Sequence, residues 1–268
     1  MDGQLIAICL LTAVINLIGA LAYAARIAGV RTRRIALSFA LFNVLVLVSR
    51  TANGFLAPFI AKRIELALAT PDAGAALLWD LRLVLFASAA AVALGIVLVP
   101  TGQRLFAAAI TSFQHNRSTA RLLLRSATPA GLRTIHDAVA LPSVATVRAL
   151  AKPRGVSWGV LLANCLAQAL LAVGVLAALY AGFLDPQFRV TASQLSAVIN
   201  GVATILLFAL IDPQISAMTD DVMDGAIGEA EFRRTMVWVS LSRLVGTLLA
   251  QVLLVPAALV IVAVSAWI

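Results

Sequence analysis

Long apolar runs separated by short polar stretches divide the chain into six segments. A bilayer's hydrocarbon core is about 30 Å thick, and a helix needs roughly 20 apolar residues to cross it. Six runs approach or exceed that length: Leu5 to Ala28, Ile35 to Ala61, Leu77 to Val99, Val156 to Leu184, Ser193 to Ile211 and Met236 to Ile268. Backbone groups in lipid must be hydrogen-bonded within the protein, and the runs lack the period-two alternation of barrel strands. The pattern predicts an all-α membrane protein with six transmembrane helices.

The spacing of the runs predicts three regions along the chain. Residues 1–99 hold the first three helices and residues 156–268 hold the last three. Residues 100–155 form a basic cytoplasmic segment, for which we predict amphipathic helices from Arg104 to His115 and from Arg117 to Arg125. Such a segment is either a docking surface for lipid headgroups or a solvated loop. Residues 212–235 are predicted to be a second cytoplasmic loop, whose acidic and basic residues form a local ion-pair network or a gate.

Composition excludes a water-soluble globular domain. The chain is 62% hydrophobic and 12% charged, with a mean hydropathy of +1.01, whereas soluble domains are about 25% charged. The two cysteines, Cys9 and Cys165, lie inside apolar runs and do not indicate a disulfide framework. Asp2 precedes the first run and basic residues follow it, which is the reverse of a cleaved signal peptide.

The uneven distribution of basic residues among the loops predicts the topology. The net charge is +8, and most Arg residues lie in the first, third and fifth loops. By the positive-inside rule these loops are cytoplasmic and both termini are outside. The four tryptophans fall near the ends of predicted spans, where membrane interfaces favour them; they are Trp79, Trp158, Trp238 and Trp267. Three spans in each half would then have opposite topologies, which is compatible with a 3+3 inverted repeat.

Polar residues recur at helical spacing inside the spans. Asn43, Arg50 and Asn53 share one face of the second span. The other stripes are Ser240, Arg243, Thr247 and Gln251 in the sixth span, Ser193, Ser196, Asn200 and Thr204 in the fifth, Asn164 and Gln168 in the fourth, and Thr12, Asn16, Tyr23 and Arg26 in the first. A charge inside a membrane usually faces a bundle interior or a wet cavity. The stripes predict a shared polar cavity; the alternatives for Arg50 are that its side chain snorkels outward or that it forms an ion pair with Asp80. Gly201 and Gly246 are predicted to allow close helix packing.

Three blocks of sequence resemble a known family. They are RIAGVRTRRIALSFALFNVLVLVSRTAN (26–53), DPQISAMTDDV (212–222) and FRRTMVWVSLSRLVGTLLAQVLLVPAA (232–258). These blocks resemble the Amj family, the alternate-to-MurJ lipid II flippases of bacteria, and the likeness extends over essentially the whole chain. The resemblance implies a multi-pass protein of the bacterial cytoplasmic (inner) membrane. It implies movement of lipid II, an undecaprenyl-pyrophosphate-linked peptidoglycan precursor, from the inner to the outer leaflet.

A flippase needs a polar path for a charged headgroup, because moving that headgroup through bare lipid is prohibitively costly. Arginine suits a pyrophosphate because its planar guanidinium donates paired hydrogen bonds and stays charged. The candidate substrate-binding residues are Arg26, Arg31, Arg33 and Arg34 at the cytoplasmic mouth, Arg243 deeper, Arg50 nearer the exit, and Asn43, Asn53, Asn200 and Gln251 along the polar faces. We expect lipid II and membrane lipids as partners, no nucleic acid, and no metal or cofactor.

Two other classes of function stay open. An intramembrane enzyme acting on polyprenyl phosphates would need a base or nucleophile beside the phosphate. The two histidines, His115 and His136, both lie in the hydrophilic segment, and the sequence has no H-E-x-x-H, C-x-x-C or G-x-S-x-G motif. The G-x-x-x-x-G-K-[ST] nucleotide loop is also absent from the sequence. A channel or scaffold for cell-wall synthesis is the third class, and it would tolerate neutral replacements of Arg50 and Arg243.

Overall fold

The fold was analysed in a computed structural model that describes residues 2–118, 124, 128–142 and 155–268. Six helical spans are long and apolar enough to cross a membrane, as the sequence predicts. Five of them are single helices: α1 (Gly3–Thr32), α2 (Ile35–Leu68), α3 (Gly74–Asn116), α5 (Trp158–Leu184) and α9 (Glu229–Trp267). The shorter α4 (Pro129–Ala138) lies between α3 and α5. The described residues contain no strand.

The fifth span, Pro186–Met223, is broken into short helical pieces. It consists of a 3₁₀ turn at Pro186–Phe188, α6 (Arg189–Gln194), α7 (Ser196–Ile205), a π-helix at Leu206–Ile211 and α8 (Asp212–Met223). Pro213 is the second residue of α8 and follows the π-helix without a break in the helical backbone. The wide π-turn directly before it accommodates the change from one helix to the next. Such π-turns are frequent at functional sites.

Local sequence accounts for several helix ends. The Asp2 side chain accepts the N–H of Leu5 at 2.8 Å and caps α1. Arg33 then adopts a left-handed conformation with φ 53°, and its N–H bonds back to the end of α1. The connection to α2 is only two residues long, so α1 and α2 are antiparallel neighbours. Ser157 caps α5 by accepting the N–H of Val160 at 3.3 Å.

Two predicted boundaries are wrong. The stretch from Arg104 to His115 is no separate amphipathic helix but the continuation of α3, because Phe106 and Ile110 are buried against the neighbouring helices. The stretch from Arg117 to Arg125 lies largely outside the described residues. Residues 212–235, predicted to be a loop, are mostly helical, since α8 buries Ile215 and Met218 in the same cluster.

Two apolar clusters hold the bundle together at opposite ends. The first cluster surrounds the end of α1 and includes Ile27, Ile110 and Phe232. The second surrounds the beginning of α1 and includes Ile8 and Leu81. On α1, α5 and α9 the residues between the clusters include the polar Thr12, Asn16, Gln168 and Arg243. The apolar ends therefore leave a polar layer in the middle of the bundle.

Of the two close helix–helix contacts predicted at glycines, one is present in the structure. A Cβ atom at Gly246 would overlap the backbone carbonyl of Cys165, so α5 and α9 touch there through their backbones. Gly201 has no atom within 4 Å that an added Cβ would meet, and the prediction for this residue is wrong. The reason is that Gly201 lies on the face of α7 that has no close neighbour.

Candidate functional site

A cavity of about 440 Å³ lies in the polar layer between the two apolar clusters. Each of the six spans contributes at least one residue to its wall. The polar lining residues are Thr12, Asn16, Ser49, Arg50, Asn53, Ser88, Gln168, Asn200 and Arg243. The remaining lining residues are aliphatic, from Ile15 on α1 to Leu207 in the π-helix.

Among the described residues, Arg243 is one of the two charged residues that line this cavity, the other being Arg50. The Nε of Arg243 is buried and has no hydrogen-bond partner, and its guanidinium lies against Gly19 of α1. The side chain of Tyr23 on α1 lies close enough to interact with this guanidinium. No Asp or Glu of the described residues forms an ion pair with it. An unneutralised cation within a membrane is costly, so the site favours an anionic ligand.

Arg50 lines the same cavity and is exposed. The predicted alternative, an ion pair with Asp80, is wrong. Asp80 instead pairs with Arg63 at 2.7 Å, and Arg63 also contacts Asp2 at 2.9 Å. Arg63 and Asp80 lie on either side of the short turn between α2 and α3. Arg50 precedes Arg63 by 13 residues on α2 and so lies about 20 Å further from that turn.

The two arginines lie at different depths. Ser38 donates to the carbonyl of Ala25 at 2.6 Å, and Gln4 donates to that of Phe59 at 3.2 Å. Both bonds define the same antiparallel register, in which Arg50 lies level with residue 13 of α1. Arg243 contacts Gly19, six residues further along α1, which corresponds to about 9 Å.

Four buried polar atoms of the cavity wall have no hydrogen-bond partner among the described residues. They are Thr12 Oγ1, Ser88 Oγ, Asn200 Oδ1 and Arg243 Nε. Buried polar atoms are nearly always hydrogen-bonded to protein, water or a ligand. Their concentration in one cavity indicates a site prepared for a polar ligand or for water.

The cavity is bordered by two spans that do not pack extensively against each other. Among the described residues α2 packs against α1, α3 and α5, while the fifth span packs mainly against α5. Exposed apolar side chains flank both borders, including Val48 on α2 and Phe208 in the π-helix. The wall is therefore weakest on the side between α2 and the fifth span, where apolar side chains meet the surroundings.

Arginines predicted at the cytoplasmic mouth do not line the cavity. Arg26 pairs with Asp212 at 3.0 Å and lies over the ring of Phe39, with 5.0 Å to its centroid. Arg31 pairs with Glu229 at 3.4 Å. Arg33 and Arg34 form the turn between α1 and α2. These arginines therefore lie outside the cavity, at the end of the bundle that carries the first apolar cluster.

Ion pairs form near residues 229–234, whereas Asp220, Asp221 and Asp224, which the predicted network also included, form none among the described residues. Glu229 contacts Arg31 at 3.4 Å and Arg233 at 3.9 Å, and Glu231 contacts Arg234 at 3.4 Å. The Arg31–Glu229 and Arg26–Asp212 pairs join α1 to the start of α9 and to α8. They close one end of the bundle by electrostatic contacts.

The predicted polar stripes reach the cavity only in part. Asn53 and Asn200 line it, but Asn43 does not. Gln251 donates to the carbonyl of Arg82 at 2.9 Å, at the contact between α9 and α3. Ser240 and Thr247 donate to carbonyls of their own helix. Of the stripe on α9, only Arg243 faces the cavity.

Sequence reasoning missed five polar lining residues as site residues. Thr12, Asn16 and Gln168 belong to stripes that the spacing reveals, and they could have been chosen. Ser49 and Ser88 are single hydroxyls inside apolar runs, where the sequence gives only a weak signal. The described residues contain no group of three or more His, Cys, Asp or Glu side chains that could hold a metal.

Six helices that are long and apolar enough to cross a membrane, with a partly polar cavity between them, define a multi-pass helical membrane protein. The sequence model of Amj, described as "Alternate to MurJ", matches residues 11–265. The chain therefore belongs to the Amj family, as the resemblance of its sequence predicts. It is 34% identical over 258 residues to the protein named Lipid II flippase Amj of Bacillus subtilis (strain 168), covering 94% of this chain and 93% of that protein. No solved structure matches the chain.

Proposed function

We propose that this protein is a lipid II flippase of the bacterial cytoplasmic membrane and not an enzyme. Its cargo crosses from the cytoplasmic to the outer leaflet with the pyrophosphate in the cavity and the polyprenyl tail in the surrounding lipid. Membership of the Amj family and the name of the Bacillus subtilis relative support the class of cargo. The arginines of the cavity support the proposal that the cavity holds the pyrophosphate of the cargo.

One observation carries the proposal: Arg243 lines the cavity without a carboxylate partner among the described residues. A guanidinium donates paired, charge-assisted hydrogen bonds to phosphate oxygens. Arg243 belongs to the cavity wall, and its buried Nε has no hydrogen-bond partner among the described residues. A pyrophosphate therefore compensates the charge that the protein leaves unpaired.

The two arginines of the cavity act in sequence. Arg243 and Arg50 lie about 9 Å apart in depth along α1 by helical rise, and both line one cavity. The pyrophosphate passes from Arg243 to Arg50, which lies closer to the end of the bundle where both chain termini lie. Arg31, Arg33 and Arg34 attract the anionic headgroup at the opposite, cytoplasmic end.

The tail stays in the bilayer because the cavity is weakly closed on one side. The border between α2 and the fifth span carries exposed apolar side chains such as Val48 and Phe208. These side chains suit contact with a polyprenyl chain. The charged headgroup is thereby separated from the tail at the edge of the cavity.

The membrane potential can drive this movement. The sequence contains no nucleotide-binding G-x-x-x-x-G-K-[ST] loop. An inside-negative potential favours outward movement of an anion by about 2.3 kcal/mol per charge per 100 mV. Consumption of the precursor outside would add to this driving force.

Reconstitution into liposomes tests the proposal. Fluorescent lipid II is placed in both leaflets, and a membrane-impermeant reagent quenches the fluorophores of the outer leaflet. With this protein the quenched fraction should exceed that in empty vesicles, without ATP. Folded protein that gives no transfer above empty vesicles would favour a scaffold, and cleavage of the pyrophosphate would favour an enzyme; either result would overturn the proposal.

A further inference from the structure

The helix α4, Pro129–Ala138, presents an apolar face that is exposed. Leu132, Ile135 and Val139 are 58%, 40% and 60% exposed. Leu132 and Ile135 are three residues apart and so share one side of α4, and Val139 is the first residue after the helix. Arg133 and Thr134 lie on the other side, giving α4 a strongly amphipathic character.

The end of α4 is attached to the membrane-spanning part of the protein. Thr101 of α3 donates its hydroxyl to the carbonyl of Ala140 at 3.0 Å and accepts the N–H of the same residue at 3.0 Å. Ala138 is buried. The position of α4 is therefore set by its contact with α3.

The attachment lies where the spans leave their apolar runs. Thr101 is two residues beyond Val99, the last residue of the third apolar run, and three before Arg104. Its neighbour Gly102 packs against Ala24 of α1, close to the charged Arg26. This change from apolar to charged residues marks the level of the headgroups. The apolar face of α4 is held beside that level.

The charge of the surrounding segment selects the kind of surface that α4 contacts. Residues 100–155 contain eight Arg and Lys residues and a single acidic residue, Asp137. The whole chain has a net charge of +8, so this segment carries nearly all of the excess. Basic segments next to a membrane are attracted to anionic lipids, and amphipathic helices lie in the interface with their apolar face inserted.

We propose that α4 is an interfacial anchor that lies on the anionic leaflet of the membrane. Leu132, Ile135 and Val139 insert among the acyl chains, and Arg133 on the opposite side contacts anionic headgroups. The anchor holds α4 against the bilayer, beside the end of the bundle that carries the first apolar cluster. This inference does not depend on the identity of the transported lipid.

Nitroxide labels test this placement in the full-length protein. A background with Cys9→Ala and Cys165→Ala receives a single cysteine as Leu132→Cys or Ile135→Cys, with Thr134→Cys as the matched control on the polar face. Each labelled protein is reconstituted with phosphatidylglycerol and phosphatidylcholine, or with phosphatidylcholine alone. Accessibility to oxygen, which concentrates in lipid, is compared with accessibility to a water-soluble nickel chelate.

The anchor predicts high oxygen and low nickel accessibility at positions 132 and 135, and the reverse at 134. Without phosphatidylglycerol, labels 132 and 135 should become more accessible to nickel. Equal nickel accessibility at 132, 135 and 134 would overturn the proposal in favour of a solvated helix. Protection of 132 and 135 from both reagents would overturn it in favour of a protein partner or a second copy. If the depths of labels 132 and 135 are the same with and without phosphatidylglycerol, the proposed role of charge would be overturned.

Discussion

Gly19 of α1 lies directly against the guanidinium of Arg243 of α9. A Cβ atom at position 19 would overlap Nη2 and approach Cζ to 3.0 Å. The absence of a side chain at residue 19 therefore determines where the positive charge of the cavity is held. Gly174 stands in a similar relation to Asn200, whose Oδ1 would lie 2.6 Å from an added Cβ.

Gly19→Ala should displace the guanidinium and reduce lipid II transport. A displacement of about 1 Å in a binding group can reduce activity by as much as a hundredfold. Gly201→Ala is the matched control, because an added methyl group there meets nothing within 4 Å. Initial rates in proteoliposomes measure both variants.

The same pair gives a readout that a general loss of stability would not produce. Lysine has no Nη2, so Gly19→Ala should cost less in an Arg243→Lys background than in the native protein. This double-mutant cycle reports direct coupling between the residues. Equal losses in both backgrounds would contradict a positioning role for Gly19.

Asp212→Asn should loosen the contact between α1 and the fifth span. Asp212 pairs with Arg26, whose side chain is only 14% exposed, so the variant leaves a largely buried cation without its partner. Since the pair is intermediate between an exposed and a buried ion pair, we expect a loss of about 1–3 kcal/mol in the free energy of unfolding. Unfolding in detergent provides the measurement. Asp224→Asn removes the same charge from an exposed position and should have a smaller effect; an equal effect would argue against the ion pair.

The N-terminal cap of α1 should depend on pH. The pKa of Asp2 is lowered from 3.8, first because its carboxylate accepts the N–H of Leu5 and second because Arg63 donates to it. A carboxylate with a lowered folded pKa stabilises the fold above its unfolded pKa, and this contribution is lost as the pH falls through the folded pKa. The cap should therefore weaken only below about pH 4.

Carbon-13 NMR of the aspartate carboxyl groups measures this titration. The midpoint for Asp2 should lie below 3.8 in the native protein. In Arg63→Gln the midpoint for Asp2 should rise but stay below 3.8, because the hydrogen bond from the Leu5 N–H remains. A native midpoint at or above 3.8 would be inconsistent with the cap.

The spans were predictable from sequence because each depends on a local run of apolar residues. Arg50 and Arg243 were predictable as cavity residues for a similar reason, because a charged side chain within an apolar run usually faces the bundle interior or a wet cavity. The position of Gln251 outside the cavity was not predictable. Its stripe does not reveal that the side chain donates to the carbonyl of Arg82 on a neighbouring helix. The rotation and packing of the helices decide between these outcomes.

Contacts between distant residues were also beyond the sequence pattern. Arg26 and Asp212 are 186 residues apart, and each alone is consistent with a solvated charge at a span end. The fold brings them together, so Arg26 lies in an ion pair rather than in the cavity. The helical continuation through Pro213 was missed because a proline more often marks the end of a helix than the start of the next.

Binding of a short-chain polyprenyl pyrophosphate to the purified protein in nanodiscs tests the central role of the two cavity arginines most directly. Loss of a charge-assisted hydrogen bond costs about 1.5–3 kcal/mol. Arg243→Gln and Arg50→Gln should therefore each weaken binding by about ten- to a hundredfold, whereas Gln251→Ala, outside the cavity, should bind as the native protein does. Native affinity in both folded arginine variants would contradict the account.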